Sequence, residues 1–307
     1  MISSAATIGS QWFLNGIANL QREQLKTQED LSSGYRVRDA SDAPAQTPAL
    51  VSLVSDLASA QAYQANLGRV QAEAGAAEQA IAGSITLLDS ARSLATQGAS
   101  TATSAADRQA IAIQIQSFQQ QIVSSANTSV EGRFIFGGDQ DQSAPYSYNA
   151  ASPTGVDSLN SPASTRTIIS PDGQAVYRAR SASTIFDHTN ASGAPAADNV
   201  FSALQGLVTA LQSNDPAGIA GSINALQAAS VYLNGQQASY GVDVAALASQ
   251  QNDTANRITS LQTQISGIRD TDVAQAATDL AQESTAQSAV FGAQASISQK
   301  SLFDYLA

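Results

Sequence analysis

The sequence predicts a mainly α protein with a β-rich insertion. Long N- and C-terminal helices are expected to pair in a coiled-coil-like bundle, with a small β domain at the centre. Three observations carry this expectation. Apolar residues recur at three- and four-residue spacing before residue 130 and again after residue 199, as a helix with one buried face requires. Between 131 and 199 the chain turns to proline, glycine and short apolar pieces, the pattern of strands and turns. The side chains are also small: 43% of residues are hydrophobic, much of that alanine, with 6% aromatic and 13% charged. Such a composition suits long helices packed through alanine seams better than a thick core of large residues.

From about Ser10 to Val130 the helical pattern is broken near Gly34–Pro48 and near Gln97–Ala106. Phe13, Ile17, Leu20 and Leu31 share a face, with Gln24 and Thr27 at intervening seam positions. Polar seam residues restrict register while weakening the pairing, so this helix is marginal alone. After Pro48, Leu50, Leu53, Val54 and Leu57 mark the next face, with Thr47 or Asp42 as its cap. Ile81, Ile85, Leu88, Arg92 and Ala95 continue the period, and Ile111, Ile115, Phe118 and Ile122 resume it after the polar break.

The middle segment, about 131–199, holds most of the eight prolines. Thr165–Ile169 and Gln174–Arg178 flank Ser170-Pro171-Asp172-Gly173, a turn sequence that predicts a hairpin. Arg133–Phe136, closed by Gly137-Gly138, is a further strand candidate. Beyond Asp198 the chain is helical again. Ile258, Leu261, Ile265 and Ile268 form a regular stripe, and Val273–Tyr305 spreads Leu280, Val290, Ile297 and Leu302 over an alanine-rich helix. The predicted organisation is therefore an assembly helix (1–42), one part of a helical bundle (43–130), a β-rich domain (131–199), the second part of the bundle (200–270) and a closing assembly helix (271–307).

Charge narrows the function. A formal net charge of −11 with only Lys26 and Lys300 as lysines, and scattered arginines, offers no basic stripe for nucleic acid. The same acidity disfavours anionic membrane surfaces, and no stretch approaches the roughly 20 apolar residues of a membrane span. Cysteine is absent, so neither disulfides nor thiolate metal sites form. Before Arg22 there is no basic residue and no continuous apolar run, so a cleavable signal peptide is not expected.

The chemistry-bearing residues do not converge on a reaction. His188, the one histidine, sits in a Thr/Asn/Gly-rich loop without a nucleophile and orienting carboxylate at useful spacing. The pairs Asp39/Asp42 and Asp270/Asp272 do not match a calcium loop, and helix capping accounts for them. Gly132, Gly137 and Gly138 fit neither phosphate-binding fingerprint. No enzyme, cofactor or metal site is expected. The apolar stripes lie toward the two ends of the chain, with no large central core to cover. They therefore predict an assembly interface of Phe13, Ile17, Leu20, Leu31, Ile258, Leu261, Ile265, Ile268, Leu280, Val290, Ile297 and Leu302.

Three segments carry a family resemblance. Leu31-Ser-Ser-Gly-Tyr-Arg-Val-Arg-Asp-Ala-Ser-Asp-Ala43 resembles the N-terminal signature of bacterial flagellin-like axial proteins, and Leu87–Ser100 is similar to their following helix. Ile268-Arg-Asp-Thr-Asp-Val-Ala-Gln-Ala-Ala-Thr-Asp-Leu280 resembles their C-terminal signature. The ending Ser298–Leu306 and the run Arg133-Phe-Ile-Phe-Gly-Gly138 resemble members that join hook to filament more than those that build the filament. The resemblance implies a structural subunit between a hook-associated ring and the flagellin filament. Filament flagellin is the alternative, and a secreted adhesin with a helical stalk a remoter one. It further implies export through the flagellar type III apparatus, self-association into a ring, and contact with flagellin and another hook-associated protein. A cytosolic chaperone on the C-terminal helix before export is implied as well, with extracellular residence in the flagellum afterwards.

Overall fold

The computed structural model describes the backbone of residues 2–160 and 163–303 and the side chains of residues 11–160 and 163–293. Helix α1 (Ile2–Ser33) leads into α2 (Thr47–Ala99) and α3 (Ala105–Ala126). Six short strands follow: β1 (Ser129–Val130), β2 (Arg133–Phe134), β3 (Tyr146–Tyr148), β4 (Val156–Ser158), β5 (Thr167–Ile169) and β6 (Ala175–Arg178). Helices α4 (Ala182–Ile185) and α5 (Val200–Gln212) precede α6 (Pro216–Arg269) and α7 (Val273–Phe303). The fold is mainly helical with a central β-rich insertion, as the periodicity predicts. Both expected helix breaks appear, between α1 and α2 and between α2 and α3. At the second, Ser104 and Asp107 form a reciprocal capping box that starts α3.

The strands do not join into one sheet. They make three separate antiparallel pairs, β1–β2, β3–β4 and β5–β6. The β1–β2 turn places Glu131 (φ 52°) and Gly132 (φ 79°) in the left-handed region, as a tight hairpin demands. The hairpin expected around Pro171-Asp172-Gly173 is β5–β6, with a register irregularity at Ile168/Ile169.

The chain divides into two units. Residues 1–61 with 256–307 form the first, and residues 62–255 the second; α2 and α6 each contribute one end to the first unit and the remainder to the second. The second unit holds a continuous core. Leu67, Ile81 and Leu88 of α2, Ile111, Ile115 and Ile122 of α3, and Leu233, Tyr240 and Leu247 of α6 belong to it. Helix α5 is buried almost all round, through Val200, Phe201, Leu204, Leu207, Val208 and Leu211, and packs along α3. Aromatic rings knit the insertion to this core: Phe136 meets Phe186 edge-on at 5.4 Å and Tyr240 at 6.5 Å, and Tyr146 lies 5.1 Å from Phe201. Edge-on and tilted pairs of this kind add to what burial contributes. Deep burial drives the Tyr240 and Tyr146 hydroxyls above their usual pKa and pushes Tyr177 up to about 12.

The first unit is built differently. Its buried apolar side chains, among the described residues, are Val37, Ala60, Leu261, Ile265 and Ala276. Helices α1 and α7 pack along each other in antiparallel fashion, and Thr27 Oγ1 donates to Glu283 Oε1 at 3.1 Å across the pair. On α2, Leu50, Leu53 and Leu57 face inward, while Val54 is exposed. The inward stripe runs 50, 53, 57, 60, so Val54 falls at its edge.

Candidate functional site

Two segments singled out in the sequence, 31–42 and 268–280, meet in the first unit and form a clasp. Helix α1 ends because Gly34 adopts φ +74°, and its N–H returns to the Asp30 carbonyl at 2.9 Å. A left-handed glycine closes a helix at little steric cost. The chain then lies against the end of α6. Tyr35 bridges Asp270 in antiparallel fashion. The Arg269 carbonyl accepts from Arg36 N (2.8 Å) and Val37 N (3.1 Å), and Thr271 N donates to the Gly34 carbonyl at 2.9 Å. The Arg36 guanidinium donates to the Ile268 carbonyl at 3.0 Å. Two of the last carbonyls of α6, those of Ile268 and Arg269, which have no partner within the helix, are thus occupied.

Side chains lock the clasp. The Arg269 guanidinium lies 4.2 Å from the centre of the Tyr35 ring, and Val37 is buried beneath the loop. Arg38 reaches back to Glu29 (2.9 Å) and Asp30 (3.4 Å) on α1. The Asp42 carboxylate accepts from the N–H groups of Arg38 and Asp39, both at 3.0 Å. Those N–H groups, Asp39 first, hold Asp42 below the usual carboxyl range. Asp270 is held down by the Ser266 hydroxyl (2.6 Å) and then by Arg269 (3.1 Å). Asp272 caps α7, accepting from Ala274 N (3.0 Å) and Gln275 N (3.1 Å). Of the acidic pairs read as helix caps, Asp272 serves that purpose. Asp42 instead closes the loop on the N–H groups of Arg38 and Asp39, and the Asp270 carboxylate accepts from the Ser266 and Arg269 side chains at the end of α6.

The predicted stripe residues sit as follows. Phe13, Ile17, Leu20 and Leu31 are half-buried on one face of α1, with the polar seam positions Gln24 and Thr27 between them. Leu261 and Ile265 are buried at the end of α6, flanked by half-buried Ile258 and Ile268. On α7, Leu280 and Val290 are half-buried on the face that carries Ala276 and Glu283. Ile297 and Leu302 lie outside the residues whose side chains are described. The stripes therefore face inward within this chain.

A second apolar set on these helices faces water: Trp12 is 80% exposed, Leu14 62%, Leu25 59% and Phe291 51%. Val51 and Val273 are exposed as well. Stripe counting missed them because each lies one position beside a stripe residue or, for Val273, at a helix start. The signal was available as large apolar residues where the inward stripe leaves none to place.

Among the described residues no group of three or more His, Cys, Asp or Glu could hold a metal, and no helix is long and apolar enough to cross a membrane. The arrangement is one of helix pairing and interlocking.

Comparison with known proteins agrees with this picture. Residues 7–141 match the family described as the bacterial flagellin N-terminal helical region. The chain is 27% identical over 206 residues to flagellar hook-associated protein 3 of Escherichia coli (strain K12), covering 65% of this chain and 63% of that protein. It is 31% identical over 136 residues to flagellar hook-associated protein 3 of Salmonella typhimurium, covering 43% of this chain and 42% of that protein. The matches thus span less than two thirds of either relative. Among solved structures, a flagellar hook-associated protein from Vibrio parahaemolyticus shares the fold with a TM-score of 0.63 at 19% identity, covering 75% of this chain and 100% of that one.

Proposed function

We infer that this chain is a bacterial flagellin-like axial protein, a structural subunit of the bacterial flagellum placed where hook meets filament. The observation that carries the reading is the α1–α7 pair. The two helices lie together on half-buried seams and still leave Trp12, Leu14, Leu25 and Phe291 in water. A free-standing domain has little reason to expose a tryptophan, a phenylalanine and leucines on the same helix pair; a subunit completed by its neighbours does. The hook-associated relatives supply the assembly in which those neighbours are found.

In this account the inward stripes pair α1 with α7 and the exposed set meets adjacent copies, so that subunits close into a ring. Flagellin lies on one side of that ring and another hook-associated protein on the other. Seams containing Gln24, Thr27 and Glu283 bury too little apolar surface to offset the entropy of ordering two long helices. The pair is therefore completed by assembly. Before export the same apolar residues of α7 invite premature association, and a cytosolic chaperone covering that helix would prevent it. The clasp fixes how the helix pair joins the rest of its unit.

Removal of residues 273–307 tests the reading. The truncated protein is expected to remain folded through its second unit and to be absent from flagella when it replaces the full chain in a motile bacterium. Normal incorporation of the truncated form would contradict it.

A further inference from the structure

The second unit has an open groove of about 860 Å³ between the 188–198 loop and one face of α6. That size falls within the roughly 300–1,000 Å³ typical of small-molecule sites. Asn224, Gln227, Ala228 and Val231 line it from the helix at three- and four-residue spacing. On the loop side the His188 ring lies parallel to Tyr232, with centroids 4.9 Å apart and planes 3° from parallel.

The groove is built in advance. Tyr232 Oη donates to the Thr184 carbonyl at 2.5 Å, and His188 Nδ1 sits 2.8 Å from Asp198 Oδ1. Asn199 Nδ2 donates to Asp187 Oδ1 (2.8 Å) and to the His188 carbonyl (3.0 Å). Asn190 Oδ1 gathers Ser192 N (3.0 Å), Ser192 Oγ (2.6 Å) and Ala194 N (3.2 Å). A loop held at this many points has already lost the freedom that binding would otherwise remove.

Its unused groups define the ligand. A carboxylate only accepts, so His188 Nδ1 donates to Asp198 and the ring is held in one orientation. Asn190 Nδ2 and the side-chain amides of Asn224 and Gln227 have no partner among the described residues. The groove thus offers a stacked aromatic wall, an alanine- and valine-rich floor, and amides that can donate or accept. An anion finds no free cation here, since His188 is held by Asp198 in a chain of net charge −11. A divalent cation finds no cluster of ligands among the described residues. An apolar helix would bury the amides unpaired, which costs the desolvation of each such group.

We propose that this groove is a carbohydrate-binding site for a neutral mono- or disaccharide. The apolar C–H face of the sugar lies along the imidazole wall and the Ala228–Val231 floor. Its hydroxyls, each donor and acceptor at once, satisfy Asn190, Asn224 and Gln227. The site concerns the second unit alone and is independent of the assembly role.

The test uses the full chain with glucose, galactose, mannose, N-acetylglucosamine and their β-linked disaccharides, read by saturation-transfer NMR and calorimetry. At least one sugar is expected to bind with a Kd of roughly 1 mM, as suits a shallow site. Asn224→Ala and Gln227→Ala, at exposed positions, are each expected to weaken it about tenfold, the loss of one good hydrogen-bonding group. Their circular dichroism and melting should match the parent. Binding by none of these sugars, or binding that both variants leave unchanged, would overturn the proposal.

Discussion

The two units spend the same kinds of residue in opposite ways. The second encloses its large side chains: Phe136, Phe186, Phe201 and Tyr240 are almost wholly buried around α5. The first leaves Trp12, Leu14, Leu25 and Phe291 in water and relies on a few backbone and side-chain links at the clasp. What separates them is whether apolar surface is consumed inside the chain. The second unit is a finished core, and the first, in the function proposed above, is an interlocking part that neighbours complete.

The comparison breaks most visibly under truncation of large side chains. Phe136→Ala or Leu204→Ala should destabilise the monomer by about 3–5 kcal/mol, as buried large-to-small changes do. Trp12→Ala should leave monomer stability within about 0.5 kcal/mol, the range of surface substitutions, while removing the protein from flagella. Denaturant unfolding of purified monomers and electron microscopy of complemented cells measure the two. Equal destabilisation by both kinds of change would erase the distinction.

A smaller effect is expected at Gly155, which holds φ +72° where a Cβ would come within 2.1 Å of Gln119 Nε2. Gly155→Ala should cost about 1–3 kcal/mol, the usual range for overpacking, again by denaturant unfolding. In the first unit, Arg269→Ala removes the stack on Tyr35, worth about 0.5–1 kcal/mol at an exposed site. Faster hydrogen exchange should then appear at Arg36, Val37 and Thr271, whose amides close the clasp. Unchanged protection there would show that the backbone bonds suffice.

Solution pH sharpens the contrast in direction. Asp42 and Asp270 have depressed folded pKa values. Their contribution to the clasp is therefore complete above the unfolded carboxyl value, about 3.9. It is lost as pH falls below that value through the folded ones. Asp141 in the second unit, held down by Gln142 and then Arg133, responds the same way, so acid loosens both units. Alkali acts on the second. Tyr177, Tyr146 and Tyr240 have raised folded values, so the stability they confer is whole below about 10 and declines as pH rises through the folded values, about 12 for Tyr177. Near-ultraviolet circular dichroism across pH 9 to 12, which follows those buried rings, checks it.

Much of the architecture was legible in the sequence because it is written locally. Gly34 and the 97–106 stretch mark helix ends by their own residue types, and the Phe13–Leu31 and Ile258–Ile268 stripes mark apolar faces by spacing alone, which the sequence assigned to contacts between chains and the structure turns inward within this one. The clasp was legible only as two signatures. The pairing of Tyr35 with Asp270 joins residues far apart in the chain, and no periodicity records such a contact. Separate strand pairs were equally hidden, since a two-residue strand such as Ser129–Val130 leaves no alternation to count. His188 read as a plain loop residue, because its stack on Tyr232 depends on a helix more than forty positions later. The exposed set beginning at Trp12 escaped for another reason: a stripe identifies one face, and these residues occupy a different one.

Intact flagella can be labelled with immunogold antibody against residues 132–199, which belong to the second unit. A single band where hook meets filament is expected. Label along the whole filament would contradict it and make the protein a filament flagellin.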